Sequence, residues 1–303
     1  MRYLVTGAAG FIGSLLAEAL MARGHDVVGI DNFTDYYDTS LKEQNAESLD
    51  MRRLDLVRDE LDFAGFDGVF HLAGQPGVRS FGDVFTLYVE RNVFASQRVF
   101  EAAARDGVRV VFASSSSVYG EAERYPTPED TPPGPLSPYG ITKLTCEHLA
   151  RAYGYSFGLD AVVLRYFNAF GPRQRPDMAF SKVVQALATD EPFDMFGDGH
   201  QSRGWTYVDD VVVATILAME RAKGTYNVGG GVEASLREAI GVLEQLAGRS
   251  LQIREHPAVP GDQRRTSADT TRIRSELGWA PEISLEDGLR AQWEWASSTV
   301  SAP

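Results

Sequence analysis

Tyr139 and Lys143 stand four residues apart in Pro138-Tyr139-Gly140-Ile141-Thr142-Lys143, at the start of a helical pattern. That spacing puts both side chains on one face of a helix. An ammonium beside a phenol stabilises the phenolate and lowers its pKa from about 10 toward the working range. The pair is then a general base able to take a proton from a hydroxyl while hydride leaves the same carbon. Alone, such a pair is more often a surface contact. The run Ser114-Ser115-Ser116-Ser117-Val118-Tyr119-Gly120 changes the balance, because it follows the apolar pattern Val108–Ala113. Its hydroxyls therefore fall at the strand end where open α/β sheets bind ligands. Ser115 would hydrogen-bond the reacting oxygen and complete a Ser–Tyr–Lys set.

A hydride needs an acceptor, and Gly7-Ala8-Ala9-Gly10-Phe11-Ile12-Gly13 lies between the first strand pattern and the first helix pattern. Gly7 permits the tight turn, Gly10 lets the backbone approach a pyrophosphate, and Gly13 lets the helix pack on the sheet. Phe11 and Ile12 belong to the same cofactor segment. Asp31 ends the second strand pattern, followed by Asn32, where an acid binds the adenosine ribose hydroxyls. The carboxylate would repel a 2′-phosphate and no arginine neighbours it, so NAD is expected rather than NADP. Asp55-Leu56 could reach the adenine, and Leu72-Ala73-Gly74 could line the nicotinamide ribose. A plain strand end and a small-residue packing contact explain those two segments nearly as well.

The elements that must position these groups alternate. Tyr3–Thr6, Asp26–Ile30, Met51–Leu54, Gly68–Leu72, Val108–Ala113 and Ala161–Arg165 read as strands, with amphipathic helices such as Phe11–Arg23 and Asp83–Arg105 between several of them. Continuous apolar strands separated by helices predict an α/β, Rossmann-type, doubly wound parallel sheet covered on both faces. Gly24 and Gly107 sit where helices end in a left-handed residue. The proline-rich stretch Glu121–Pro138 reads as a loop, as do Gly171–Asp177, Phe196–Arg203 and Pro257–Arg265. The expected division is a cofactor domain over 1–167, with 205–226 returning to it, and a smaller C-terminal substrate domain over 168–303. The tail Ser297–Pro303 reads as frayed.

The chain has 303 residues, 42 acids against 29 bases and a formal net charge of −13. That charge disfavours a nucleic-acid or anionic-membrane partner, although an anionic substrate could still bind a local nest of arginines. One cysteine, Cys146, excludes an internal disulfide and reads as a packing residue. No apolar run reaches membrane-spanning length, the N-terminus lacks a signal-peptide layout, and a cytoplasmic protein is expected. The five histidines show no metal-ligand spacing, so no metal is expected; His71 reads as a strand residue near the cofactor edge.

The glycine motif, Asp31, the serine run and Tyr139-Gly-Ile-Thr-Lys143 together resemble the extended short-chain dehydrogenase/reductase superfamily, nucleotide-sugar branch. Asp31-Asn32-Phe33-Thr34-Asp35-Tyr36-Tyr37-Asp38, His71 to Ser80, Gly171 to Phe180 and Gly261-Asp262 with Thr266 to Asp269 resemble the UDP-glucuronate 4-epimerases. The resemblance implies the reaction: Tyr139 deprotonates the sugar C4 hydroxyl, hydride passes to bound NAD, the 4-keto sugar rotates, and hydride returns to its other face. UDP-glucuronate would become UDP-galacturonate. The resemblance assigns Arg203 and one of Arg264 or Arg265 to the diphosphate, and Asp262 to the uridine ribose. It also suggests a homodimer through Asp83–Arg105 and Pro138–Tyr153.

Relatives are separated by what is missing. In 4,6-dehydratases an Asp and a Glu stand at the positions of Ser116 and Ser117. Decarboxylases carry a Glu at Ser117 and an Arg at Thr266. A 4-keto glucuronate is a β-keto acid that loses CO₂ readily, so an epimerase must orient the carboxylate against that loss. Ser116, Ser117 and nearby N–H groups are the expected donors. Asn168 matches many epimerases of neutral sugars, whereas Arg175 matches the glucuronate group, and Arg79 is a further residue expected near the sugar or its supporting loop. UDP-glucose or UDP-N-acetylglucosamine is the alternative substrate. A non-catalytic NAD-binding regulator is disfavoured because Ser115, Tyr139 and Lys143 are all intact.

Overall fold

The computed structural model describes residues 1–77, 82–258 and 263–300. In chain order the first half forms β1 (Arg2–Thr6), α1 (Phe11–Ala22), β2 (Asp26–Asp31), α2 (Thr39–Ala46), β3 (Asp50–Arg53) and β4 (Gly68–His71). Then follow α3 (Phe85–Tyr88), α4 (Ala95–Asp106), β5 (Arg109–Ser115), α5 (Pro138–Phe157), β6 (Ala161–Tyr166) and β7 (Asn168–Phe170). The remainder comprises α6 (Ala179–Thr189), β8 (Phe193–Phe196), β9 (Ser202–Tyr207), α7 (Val208–Arg221), β10 (Gly224–Val228) and β11 (Glu233–Ser235). It closes with α8 (Leu236–Ala247), β12 (Ile253–His256), β13 (Arg265–Thr266), α9 (Thr271–Leu277) and α10 (Leu285–Val300).

Seven strands form one parallel sheet in the order β10-β6-β5-β4-β1-β2-β3. The order reverses between β1 and β4, and a crevice opens at such a switch point beyond the strand C-termini. Alternation along β1 divides the core: Tyr3 and Val5 join one apolar cluster with α1 and α7, whereas Leu4 joins the other with Phe100 and Cys146. The six expected strands are all present, and β10 adds the seventh.

Several expectations need correction. Trp205 lies on β9, outside the large sheet, so the chain returns to that sheet only with α7 and β10. Phe196–Arg203 and Pro257–Arg265 are not wholly loop: Arg203 sits within β9 and Arg265 opens β13, paired Thr266↔Arg203. The helix expected over Asp83–Arg105 is built in pieces, α3 passing through a π-helical turn, Val89–Phe94, into α4. Ser297–Val300 forms the last turn of α10, and the rest of the tail expected to fray, residues 301–303, lies outside the described residues. Smaller sheets made of β11-β9-β13, with β7 on β9, and of β12-β8 carry the C-terminal half. No helix among the described residues is long and apolar enough to cross a membrane.

Candidate active site

The glycine loop is shaped by what a Cβ would strike. A Cβ on Gly7 (φ +72°) would lie 2.8 Å from the Ala73 nitrogen, and one on Gly13 would lie 2.1 Å from the Gly7 carbonyl oxygen. At Gly10 only the Gly7 carbonyl comes near. Gly10 caps α1 without a side-chain cap, and the first turn, containing Phe11 and Ile12, holds no acid. The amides of that turn are therefore left to an anion. Asp31 accepts from the Phe33 amide at 2.8 Å and from Ala9 at 3.3 Å, tying the end of β2 to the glycine loop. Burial pushes its carboxyl above the usual range, against the pull of these amides and of Lys42. The cradle and the acid at the end of β2 fit a dinucleotide.

An arginine does neighbour Asp31, because β2 and β3 are in register at Asp31↔Arg53. Its guanidinium lies 4.1 Å from the Phe33 ring centroid and is paired with Glu43, which neutralises it. Asn32 is exposed beside Asp31. Asp55 follows β3 and turns its carboxylate onto the Val57 amide at 2.8 Å, while Leu56 is buried in the core. Leu72, Ala73 and Gly74 follow β4; the Ala73 amide donates to Thr6 Oγ1 at 3.2 Å. Thr6 Oγ1 is 2.7 Å from His71 Nδ1, and His71 Nε2 is 2.9 Å from Ser96 Oγ. Burial and the Lys143 charge hold the His71 pKa down to about 3.

Three rungs dock the helix bearing Tyr139 and Lys143 onto the serine run. Ser137 caps α5 by accepting from the Gly140 amide at 3.1 Å, and Pro138 occupies the first turn. A Cβ on Gly140 would lie 2.5 Å from the Ser117 carbonyl, so the backbones touch there. Lys143, buried, donates from Nζ to the Ala113 carbonyl at 2.8 Å, with Nζ 5.8 Å from the Tyr139 ring centroid. Glu147, one turn on, accepts from the Ser114 hydroxyl at 2.5 Å. Ser115 ends β5; its hydroxyl donates to Ser117 Oγ at 3.2 Å and accepts from the Ser117 amide at 3.1 Å. Ser116 and Ser117 open the 3₁₀ turn Ser116–Tyr119.

The substrate-side residues come from farther away. Asn168 opens β7 and donates from Nδ2 to Thr266 Oγ1 at 2.7 Å. Strand register puts Arg203 on the same face as Thr266. Arg265 is one residue out of phase, facing Glu233 at 2.7 Å, although it also borders a small cleft with Ser116 and Thr266. Arg264 is exposed and 3.5 Å from Asp198. Arg265 therefore does not share the face that carries Arg203, and Arg264 precedes β13. Arg175 lies near Tyr139, which acts electrostatically on its charge. Arg79 and Asp262 lie outside the described residues.

Several residues were not singled out from the sequence. Asn92, buried in the π-helical turn, accepts from the Gln75 amide at 2.6 Å and donates to the Gln75 carbonyl at 3.1 Å and to Thr142 Oγ1 at 3.0 Å. A Cβ on Gly74 would lie 2.8 Å from Asn92 Oδ1 and 3.3 Å from Lys143 Nζ, so the three converge. Arg165 and Glu147 form a buried ion pair at 2.7 Å, and Arg165 also donates to the Tyr119 hydroxyl at 2.8 Å. Burial alone would lower the Arg165 pKa, but the Glu147 carboxylate outweighs it and raises it. One signal was available: Glu147 falls four residues after Lys143, on the same helix face. Cys146 packs beside it, its thiol donating to the Asn92 carbonyl at 3.4 Å. Among the described residues, no three His, Cys, Asp or Glu side chains group to hold a metal.

Residues 3–229 match the model of the NAD dependent epimerase/dehydratase family. The chain is 41% identical to an uncharacterised UDP-glucose epimerase, YtcB, of Bacillus subtilis, over 98% of each chain. It is 34% identical to a UDP-glucuronate 4-epimerase of Thermodesulfobacterium geofontis, over 98% of this chain and 97% of that one. The crystal structure of the Bacillus cereus UDP-glucuronic acid 4-epimerase, in complex with UDP-glucuronic acid and NAD, superposes with a TM-score of 0.95 at 40% identity, covering 99% of this chain and 100% of that one. The chain belongs to the NAD-dependent epimerase/dehydratase family.

Proposed function

We propose that this chain is a UDP-sugar 4-epimerase whose preferred substrate is UDP-glucuronate, converted to UDP-galacturonate. The observation that carries the reading is the docking of Tyr139 and Lys143 onto the serine run. Gly7, Gly10, Gly13, the first-turn amides at Phe11 and Ile12, and Asp31 would hold NAD, with Asn32, Asp55, Leu56, Leu72, Ala73 and Gly74 along the same strand edge. When bound, NAD supplies a reversible hydride acceptor. Tyr139 takes the C4 hydroxyl proton and returns it after the sugar has turned over. Lys143 keeps a positive charge beside the phenol, anchored by the Ala113 carbonyl. Ser115 orients the C4 oxygen, while Ser116 and Ser117 orient the carboxylate at the 3₁₀ turn.

On the nucleotide side Arg203 meets the diphosphate, and Asp262 the uridine ribose. The reading takes residues 1–167 and the returning segment as the cofactor part, with 168–303 as the substrate part. It also takes the enzyme as cytoplasmic and as a homodimer. Phe85, Val89 and Phe94 on the α3–α4 run and Ile141 and Phe157 on α5 are large apolar side chains left exposed in one chain, as a face awaiting a second copy would be.

A second reading, a neutral UDP-sugar, is favoured by Asn168 and by the name of the Bacillus subtilis relative. The deciding experiment is an NMR time course of purified protein, without added NAD, on UDP-glucuronate and separately on UDP-glucose. UDP-galacturonate formed without CO₂ release, with UDP-glucose little changed, is the expected result. Conversion of UDP-glucose instead moves the assignment to the neutral sugar.

A further inference from the structure

The loop Gly171–Asp177 is anchored at points that leave Arg175 little freedom. Arg173, at φ 62°, pairs with Glu18 on α1 at 2.8 Å. Gln174, buried, donates to the Ala169 carbonyl at 3.1 Å and accepts from the Ser181 amide at 3.0 Å and from Gln292 Nε2 at 2.9 Å. Gln292 in turn accepts from the Gly171 amide at 3.1 Å. Within this frame Arg175 donates from Nε and Nη2 to the two Asp177 oxygens at 2.9 and 3.0 Å, fork against fork. The Tyr36 hydroxyl, from the loop after Asp31, donates to the same carboxylate at 3.3 Å.

A guanidinium gripped in this way is a different ligand from a bare one. The fork uses Nε and Nη2, so Nη1 lies outside it and still donates, yet the pair carries no net charge. Hydrogen bonds from a neutral pair suit a hydroxymethyl group and a carboxylate alike. A bare guanidinium adds a full charge, which only the carboxylate answers.

We propose that Asp177 is a specificity-determining residue: by neutralising Arg175 beside the sugar, it sets how strongly the site prefers a carboxylate over a hydroxymethyl group at C5. This rests on the UDP-sugar 4-epimerase reading. Asp177 acts through Arg175 and not on the reacting atoms, so its signature is a change in selectivity rather than in chemistry.

The test measures dissociation constants for UDP-glucuronate and UDP-glucose by calorimetry. It uses NAD-loaded Tyr139→Phe protein, where turnover does not interfere. Adding Asp177→Asn should shift the preference toward UDP-glucuronate about tenfold, a shift that shrinks in high salt. Asp177→Ser should give the same shift, which keeps the test open if the Asn variant does not fold. Asp177→Glu should restore the parent preference to within about twofold. An unchanged preference in both neutral variants, or an equal shift in Asp177→Glu, overturns the proposal while leaving the epimerase reading intact. Parent protein that binds neither sugar nucleotide overturns both.

Discussion

The two sides of the crevice are built on opposite plans. Along β1, β2 and β3 the polar groups offered to a ligand are backbone amides and one carboxylate, shaped by glycines that exclude a Cβ. In the C-terminal half hydroxyls, Asn168 and arginines gather, and many of the arginines come with a carboxylate attached. Arg165 has Glu147, Arg173 has Glu18, Arg175 has Asp177, Arg264 has Asp198 and Arg265 has Glu233. In a chain of net charge −13, an arginine near an anion site is therefore not automatically free to bind the anion. The first side recognises by shape, and the second by charges that are already partly satisfied.

If the two sides work separately, Tyr139→Phe should lower epimerisation by about 10³-fold yet leave NAD content unchanged. An NMR assay and cofactor release on denaturation check this together, and loss of NAD would merge the two sides. Glu147→Gln leaves Arg165 buried without its counter-charge and should cost about 3 kcal/mol in chemical denaturation. Gly13→Ala, acting on the other side, should cost about 2 kcal/mol and empty the cofactor site, read as a lower Tm and less bound NAD.

A pH series sharpens the comparison at the seam, where His71 lies between the strand ends. Its native pKa of about 3 is below the unfolded value near 6.5, so the unfolded chain binds more protons as pH falls. Stability should drop by about 2 kcal/mol between pH 7 and pH 5, and His71→Gln should flatten that slope. The smallest effect is expected at Arg264→Ala, with KM changed by less than about twofold, whereas Arg203→Ala should raise KM about tenfold.

How much of this was legible beforehand follows the same divide. The glycine turn, Asp31 and the Tyr139–Lys143 pair are local: their spacing fixes their geometry, and the parallel sheet follows from apolar strands alternating with helices. The Arg53 contact with Asp31 was missed because adjacency in a sheet depends on strand register, not on sequence separation. Asn92 was missed because a π-helical turn leaves no mark in a 3.6-residue period. The choice between Arg264 and Arg265 for the diphosphate stayed open, because spacing alone does not show that β13 pairing sets Arg265 out of phase with Arg203 or that each of the two arginines meets its own acid. The start of the return to the large sheet was placed early because β9 and α7 run on without a break.

Gly140 carries a consequence for any attempt to redesign the enzyme. The phenol of Tyr139 is located by a side chain that does not exist at the next position, because the Ser117 carbonyl occupies the place where a Cβ would be. Even alanine would lever the helix away from the serine turn, and a displacement of about 1 Å can cost 10²-fold in rate. The tolerance of the site to change is therefore uneven. New sugars are to be sought through the long-range loops, while one hydrogen atom at residue 140 stays beyond bargaining.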